Sequence, residues 1–215
     1  MDNSPLARLP PELRNDIYEL ALTHDRPYII PTEQRRRSGL SGRGLMRTCR
    51  TVRAETTLLF YASNDFVFKC DSYYSLGPKS HKCVKEFQAF AGTIGEANAA
   101  ALRSVSFSDE SITCLVEARR KAVIRLVLGA VKEANNLSRC NFAVTGYTSF
   151  FDDDFDKCRV IRFELDAKDI VGSLLRFRRE IEAERGRGYD AGIASELRDL
   201  GYLEKELSEA LEVNT

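Results

Sequence analysis

The sequence predicts a mixed α/β fold with a small parallel sheet. From residue 102 onward, strand-like and helix-like segments alternate. Two of the strands also resemble each other at an offset of 35: Leu102, Val105 and Phe107 against Leu137, Cys140 and Phe142. A strand, a helix and a similar strand form a βαβ unit, which implies parallel strands and a right-handed crossover. Composition agrees. The 215 residues are 43% hydrophobic and 30% charged, which excludes collagen-like, low-complexity and wholly disordered chains.

The elements follow in order. A first helix is expected over 10–23, opened by Pro10 and Pro11, with Leu13, Ile17, Leu20 and Ala21 at the spacing of one buried face. A short strand over 28–30 precedes the polar, Gly-rich run 32–44, read as a mobile loop. A second helix over 45–61 places Leu45, Cys49, Val52, Thr56, Leu59 and Phe60 inward. A strand follows over 65–70, then a helix over 82–95. Strands are read at 102–107, 137–144 and 159–165, the last as a third strand of the same kind. Helices are read at 115–135 and 169–183, and an amphipathic helix at 193–211 carries Ile193, Leu197, Leu200, Leu207 and Leu211.

These elements divide the chain into a helical segment (1–68), a βα array (69–183) and a C-terminal helix (184–215), read together as one integrated domain. The array resembles a short, irregular leucine-rich-repeat-like arrangement, with helices capping both ends.

Thirty-two basic and thirty-two acidic residues cancel, so no overall basic field exists to hold nucleic acid. The charge is nevertheless uneven. Residues 23–53 hold eight Arg against Asp25 and Glu33, whereas 180–215 hold four basic and ten acidic residues. The N-terminus lacks the basic start and apolar core of a signal peptide, and no apolar run reaches membrane-spanning length. The expected location is cytoplasmic or nuclear. Six scattered cysteines (Cys49, Cys70, Cys83, Cys114, Cys140, Cys158) form no CxxC pair and read as small apolar core residues in a reducing compartment.

Two blocks carry a family resemblance. LARLPPELRNDIYELAL, residues 6–22, is similar to the opening of an F-box. LMRTCRTVRAETTLLFYASNDFVF, residues 45–68, resembles the second block of the fungal F-box-like, two-EXR-type family. Its core falls on Cys49, Arg50, Arg53 and Glu55, and its ending on Leu59, Phe60, Tyr61, Ser63, Asn64 and Phe66. The first triplet is Glu12-Leu13-Arg14, whereas Thr51-Val52-Arg53 lacks the Glu. The segment 87–108 is similar to the helix-then-strand stretch of the same family. The resemblance implies a substrate adaptor that docks the Skp adaptor of a cullin-RING ubiquitin ligase, with Leu9, Pro10, Leu13, Ile17 and Tyr18 as its docking face. The charged motif also has a purely structural reading. A pair between Glu12 and Arg50 or Arg53 fixes how two helices cross, while Phe60, Tyr61 and Phe66 fill the corner between helix and strand.

No enzyme constellation stands out. His24 and His81 are the only histidines. Cys70, His81 and Cys83 supply at most three metal ligands, so no metal and no cofactor is expected. Phosphate-loop, dinucleotide and nucleophile-elbow patterns are absent. Asp152, Asp154 and Asp156 are spaced as in a calcium loop, but Lys157 and Phe163 occupy its Gly and Glu positions. With Asp153 they read as an acidic surface loop able to meet a basic partner. Ser38, after Arg35-Arg36-Arg37, is a candidate phosphosite.

The function expected is therefore non-catalytic: a protein-interaction module, in its concrete form the ligase adaptor. The alternatives are a self-contained regulatory or interaction domain without Skp-adaptor binding, and an enzyme. They separate on exposure, because a docking face must stay open in the free protein.

Overall fold

The computed structural model describes residues 5–30, 43–69, 81–109, 117–151, 158–185, 187 and 189–214. A short 3-10 helix (Pro5–Arg8) leads into α1 (Pro11–Leu22), β1 (Tyr28–Ile30), α2 (Arg43–Met46), α3 (Arg50–Ser63) and β2 (Asp65–Lys69). Then come α4 (His81–Ile94), α5 (Glu96–Ala100), β3 (Ser104–Asp109), α6 (Glu117–Asn136) and β4 (Asn141–Phe151). The chain continues with β5 (Cys158–Asp166), α7 (Ile170–Glu182) and α8 (Asp190–Asn214). The fold is mixed α/β.

Among the described residues, five strands lie side by side in chain order, and β1 to β4 run parallel. Alternation decides which face is buried. Phe66 aligns with Val105 and Val105 with Phe142; Phe68 aligns with Phe107 and Phe107 with Val144. All six are buried. The helices pack on this same face. Phe60 of α3 and Phe90 of α4 meet Phe66. Phe87 of α4 meets Phe68, Phe107 and Phe142 edge-on, with ring centroids 5.2–6.0 Å apart. Phe177 of α7 meets Phe163 of β5. Each fully buried ring contributes about 2–3 kcal/mol by leaving water, and edge-to-face contacts add about 1 kcal/mol more. The core is one cluster running from Tyr18 to Leu207.

Several expectations need correcting. β5 is not another parallel strand but runs antiparallel to β4. The β4 ladder extends to Phe151 and β5 starts at Cys158, which leaves too short a connection for a crossover of about a dozen residues. The helix expected over 45–61 is broken into α2 and α3. Thr48 Oγ1 donates to the Leu45 carbonyl, Arg53 Nε donates to the Met46 carbonyl, and Cys49 caps α3 by accepting from Val52 N–H. Side-chain bonds of this kind compete with helix continuation. Cys83 is buried as expected but is disulfide-bonded rather than a free thiol. Cys49 and Cys140 are free. Burial pushes the Cys140 thiol up to about 12, against a smaller opposing effect of Lys168. Most of the 32–44 run lies outside the described residues, and its last two positions belong to α2.

The last helix packs on its own chain. Ile193, Leu200, Leu203 and Leu207 are buried. Arg120 of α6 pairs with Asp199 at 3.3 Å and sits over the Tyr202 ring. Arg178 of α7 holds Glu204. Among the described residues, no helix is long and apolar enough to cross a membrane.

Candidate partner-docking face

α1 starts where Pro10 and Pro11 fix the backbone, and Arg14 N–H bonds back to the Pro10 carbonyl. Its rotation is then set by α3. Arg14 Nη2 donates to Glu55 Oε1 at 3.1 Å, and Arg14 Nη1 donates to the Leu9 carbonyl. Tyr18 donates its hydroxyl to the other Glu55 oxygen at 2.8 Å. Burial, and then the bond to Glu55, raise the Tyr18 pKa. A second clamp closes the other end. Asn64 Nδ2 donates to the carbonyls of Leu22 and Phe60, and its Oδ1 accepts His24 N–H. Buried Asn64 thereby satisfies the last turns of two helices that would otherwise leave carbonyls orphaned.

The result reverses the burial expected for α1. Tyr18 and Leu22 face inward, while Leu13, Ile17 and Leu20 are 50%, 40% and 84% exposed. At 100° per residue, the exposed stripe lies about 140° round the helix from the buried one. Glu12, Asp16 and Glu19 border it on one side, all exposed. Of the expected docking residues, Pro10, Leu13 and Ile17 are open, Leu9 is half-buried and Tyr18 is fully inside. Leu20 stands exposed on the same side as Leu13 and Ile17. It was missed because its spacing fits the buried pattern equally well.

The charged motif holds two helices together, but not through the pair anticipated. Glu12 is exposed, and the inter-helix pair is Arg14–Glu55, with the charges on the opposite helices. Arg53 braces the α2–α3 turn and Arg50 is exposed. Phe60, Tyr61 and Phe66 do fill the corner, with Tyr28 and Phe90 completing the cluster.

Ser38 and Asp152, Asp153, Asp154 and Asp156 lie outside the described residues, as does the His81 side chain. His24 is exposed, its ring edge-on to Tyr28 at 5.0 Å. Among the described residues, no three His, Cys, Asp or Glu side chains cluster so as to hold a metal.

The face opposite the helices is composed differently. Ile29, Val67, Ser106 and Ala143 form one row across it, and Arg162 and Glu164 stand exposed on β5. Comparison with known proteins gave no match: no family model, no curated protein and no solved structure.

Proposed function

We propose that this chain is a non-catalytic protein-interaction module that docks a partner through the outer stripe of α1. Its concrete form is an F-box-like substrate adaptor, with the Skp adaptor of a cullin-RING ubiquitin ligase on α1 and a target on the βα array. One observation carries the reading: three large apolar side chains stand exposed on a helix whose rotation is locked from behind. A contiguous exposed apolar patch on a folded chain marks an interaction surface. The sequential strand order, with helices on one face, supports the βα-array part of the resemblance.

A second reading has its own support. Tyr18 is buried and β1 separates α1 from the helices that follow, so the first helices are not contiguous. That favours a self-contained interaction domain using α1 for another protein. Calorimetric titration of the chain with the fungal Skp adaptor separates the two. The adaptor reading expects saturable one-to-one binding that is lost in Leu20→Asp, a change at a position the fold leaves open. No heat from a well-folded chain leaves the second reading in place.

A further inference from the structure

α4 is held unevenly along its length. Its later turns are anchored by rings: Phe87 meets Phe68, Phe107 and Phe142, and Phe90 meets Phe66 and Phe68. The first turn, His81 to Val84, contains no Phe or Tyr. It carries Lys82 and no acidic residue, and Lys85 follows directly. Cations at a helix N-terminus oppose the macrodipole, so this start is electrostatically poor. Two neighbours hold it in place. Val84 presses on α6, where a Cβ at Gly129 would come within 2.6 Å of it. Beside it, Cys83 is 2% exposed and disulfide-bonded.

The chain mixes redox states. Cys49 and Cys140 are free thiols, whereas Cys83 is bonded. A secreted domain stapled for stability pairs its cysteines, whereas in a reducing compartment a disulfide is transient and redox-sensing. With two of the other five cysteines free, the second sulfur belongs to Cys70, Cys114 or Cys158, whose side chains lie outside the described residues.

We propose that the Cys83 disulfide is a redox-sensitive clasp that sets the order of the α4 N-terminal turn. Glutathione opens it by thiol–disulfide exchange. One glutathione thiolate attacks a sulfur of the bond, forming a mixed disulfide and releasing one cysteine thiolate. A second glutathione displaces the first as glutathione disulfide, and both cysteines end as thiols. Glutathione disulfide closes the clasp by the same steps reversed. The opened first turn then keeps only the Val84 contact against its own unfavourable charge. This goes beyond the docking function above and shares with it only a reducing setting.

The test equilibrates the full chain in buffers of graded reduced-to-oxidised glutathione ratio. Thiols are trapped by acid quench and alkylation in guanidinium, and Cys83 is followed by peptide mass spectrometry. Amide exchange is measured in parallel. Cys83 is expected to pass reversibly from protected to alkylated as the ratio rises. Exchange over 83–87 quickens about tenfold on reduction, while 104–107 and 141–144 stay unchanged. Cys83→Ala exchanges like the reduced wild type at every ratio. Peptide mapping without reduction joins Cys83 to one of the three remaining cysteines of the same chain. Three results overturn the proposal: a bond that stays closed at every ratio, a Cys83 that is alkylated at every ratio, or a bond made to another chain. Equal exchange over 83–87 in the closed and open forms does so too, because the bond then holds nothing. The adaptor titration, run on fully reduced chain, is untouched by any of these failures.

Discussion

Arg14 on α1 and Glu55 on α3 meet at 3.1 Å across forty-one residues of sequence, and their contact decides which side of α1 faces the solvent. Glu55 uses its second oxygen on the Tyr18 hydroxyl. With both oxygens committed, α1 cannot rotate to bury Leu13 and Ile17 without breaking two half-buried bonds. A motif of charged residues thus fixes an apolar surface.

Removing Glu55 should therefore destabilise the fold more than an ordinary surface change does. Glu55→Ala strands the Tyr18 hydroxyl and the Arg14 guanidinium at once, and its expected cost is about 2–3 kcal/mol in urea unfolding. Tyr18→Phe loses one bond and keeps the ring, so about 1 kcal/mol is expected. Equal costs for the two would mean that Arg14 contributes nothing.

Asn64 is the second fastening. Asn64→Ala leaves the Leu22 and Phe60 carbonyls and the His24 N–H without their partner. The expected loss is about 3 kcal/mol. Amide exchange should quicken in the last turn of α1 and leave β3 and β4 unchanged. Uniform quickening across the sheet would count against a local clamp.

Two glycines should respond in opposite directions. A Cβ at Gly146 of β4 would lie 2.6 Å from the Phe163 ring, so Gly146→Ala is expected to cost about 1–3 kcal/mol through overpacking. A Cβ at Gly201, inside α8, meets nothing within 4 Å. Gly201→Ala should raise stability by about 0.5–1 kcal/mol through helix propensity. Thermal unfolding of the pair checks both signs.

Alkaline stability follows from Tyr18 and Cys140. Burial raises the pKa of both groups in the folded chain, Cys140 to about 12 from 9.0. The unfolded chain then loses these protons first as pH rises. Stability is fully present below the ordinary thiol value and falls as pH climbs toward the folded values. Cys140→Ala should flatten the first part of that fall, and Tyr18→Phe the part above the ordinary tyrosine value. An unchanged slope in both variants would contradict the assignment.

Much of the fold was legible in local pattern. The stripe Ile193, Leu200 and Leu207 marked α8, and the alternation of Val105 and Phe107 marked β3. Direction was not legible for β5, because Ile161, Phe163 and Leu165 alternate identically whichever way the strand runs. α1 was misread for a related reason: it has two apolar stripes, and periodicity cannot choose between them. The choice is made by Glu55, a long-range partner. The break at Cys49 arises similarly, from side chains bonded to the Leu45 and Met46 carbonyls. Of the candidate site, helix α1 was legible, but which of its sides stands exposed was not.

The central proposal is that the outer stripe of α1 is a docking surface, with the Skp adaptor as the proposed occupant. The most direct test co-expresses the chain with the fungal Skp adaptor and resolves the products by size-exclusion chromatography. The account predicts a one-to-one complex that is lost in Leu13→Asp/Ile17→Asp, a variant that keeps the wild-type fold because both positions are exposed. A well-folded wild type that elutes apart from the adaptor, or a complex that survives the double substitution, would contradict it.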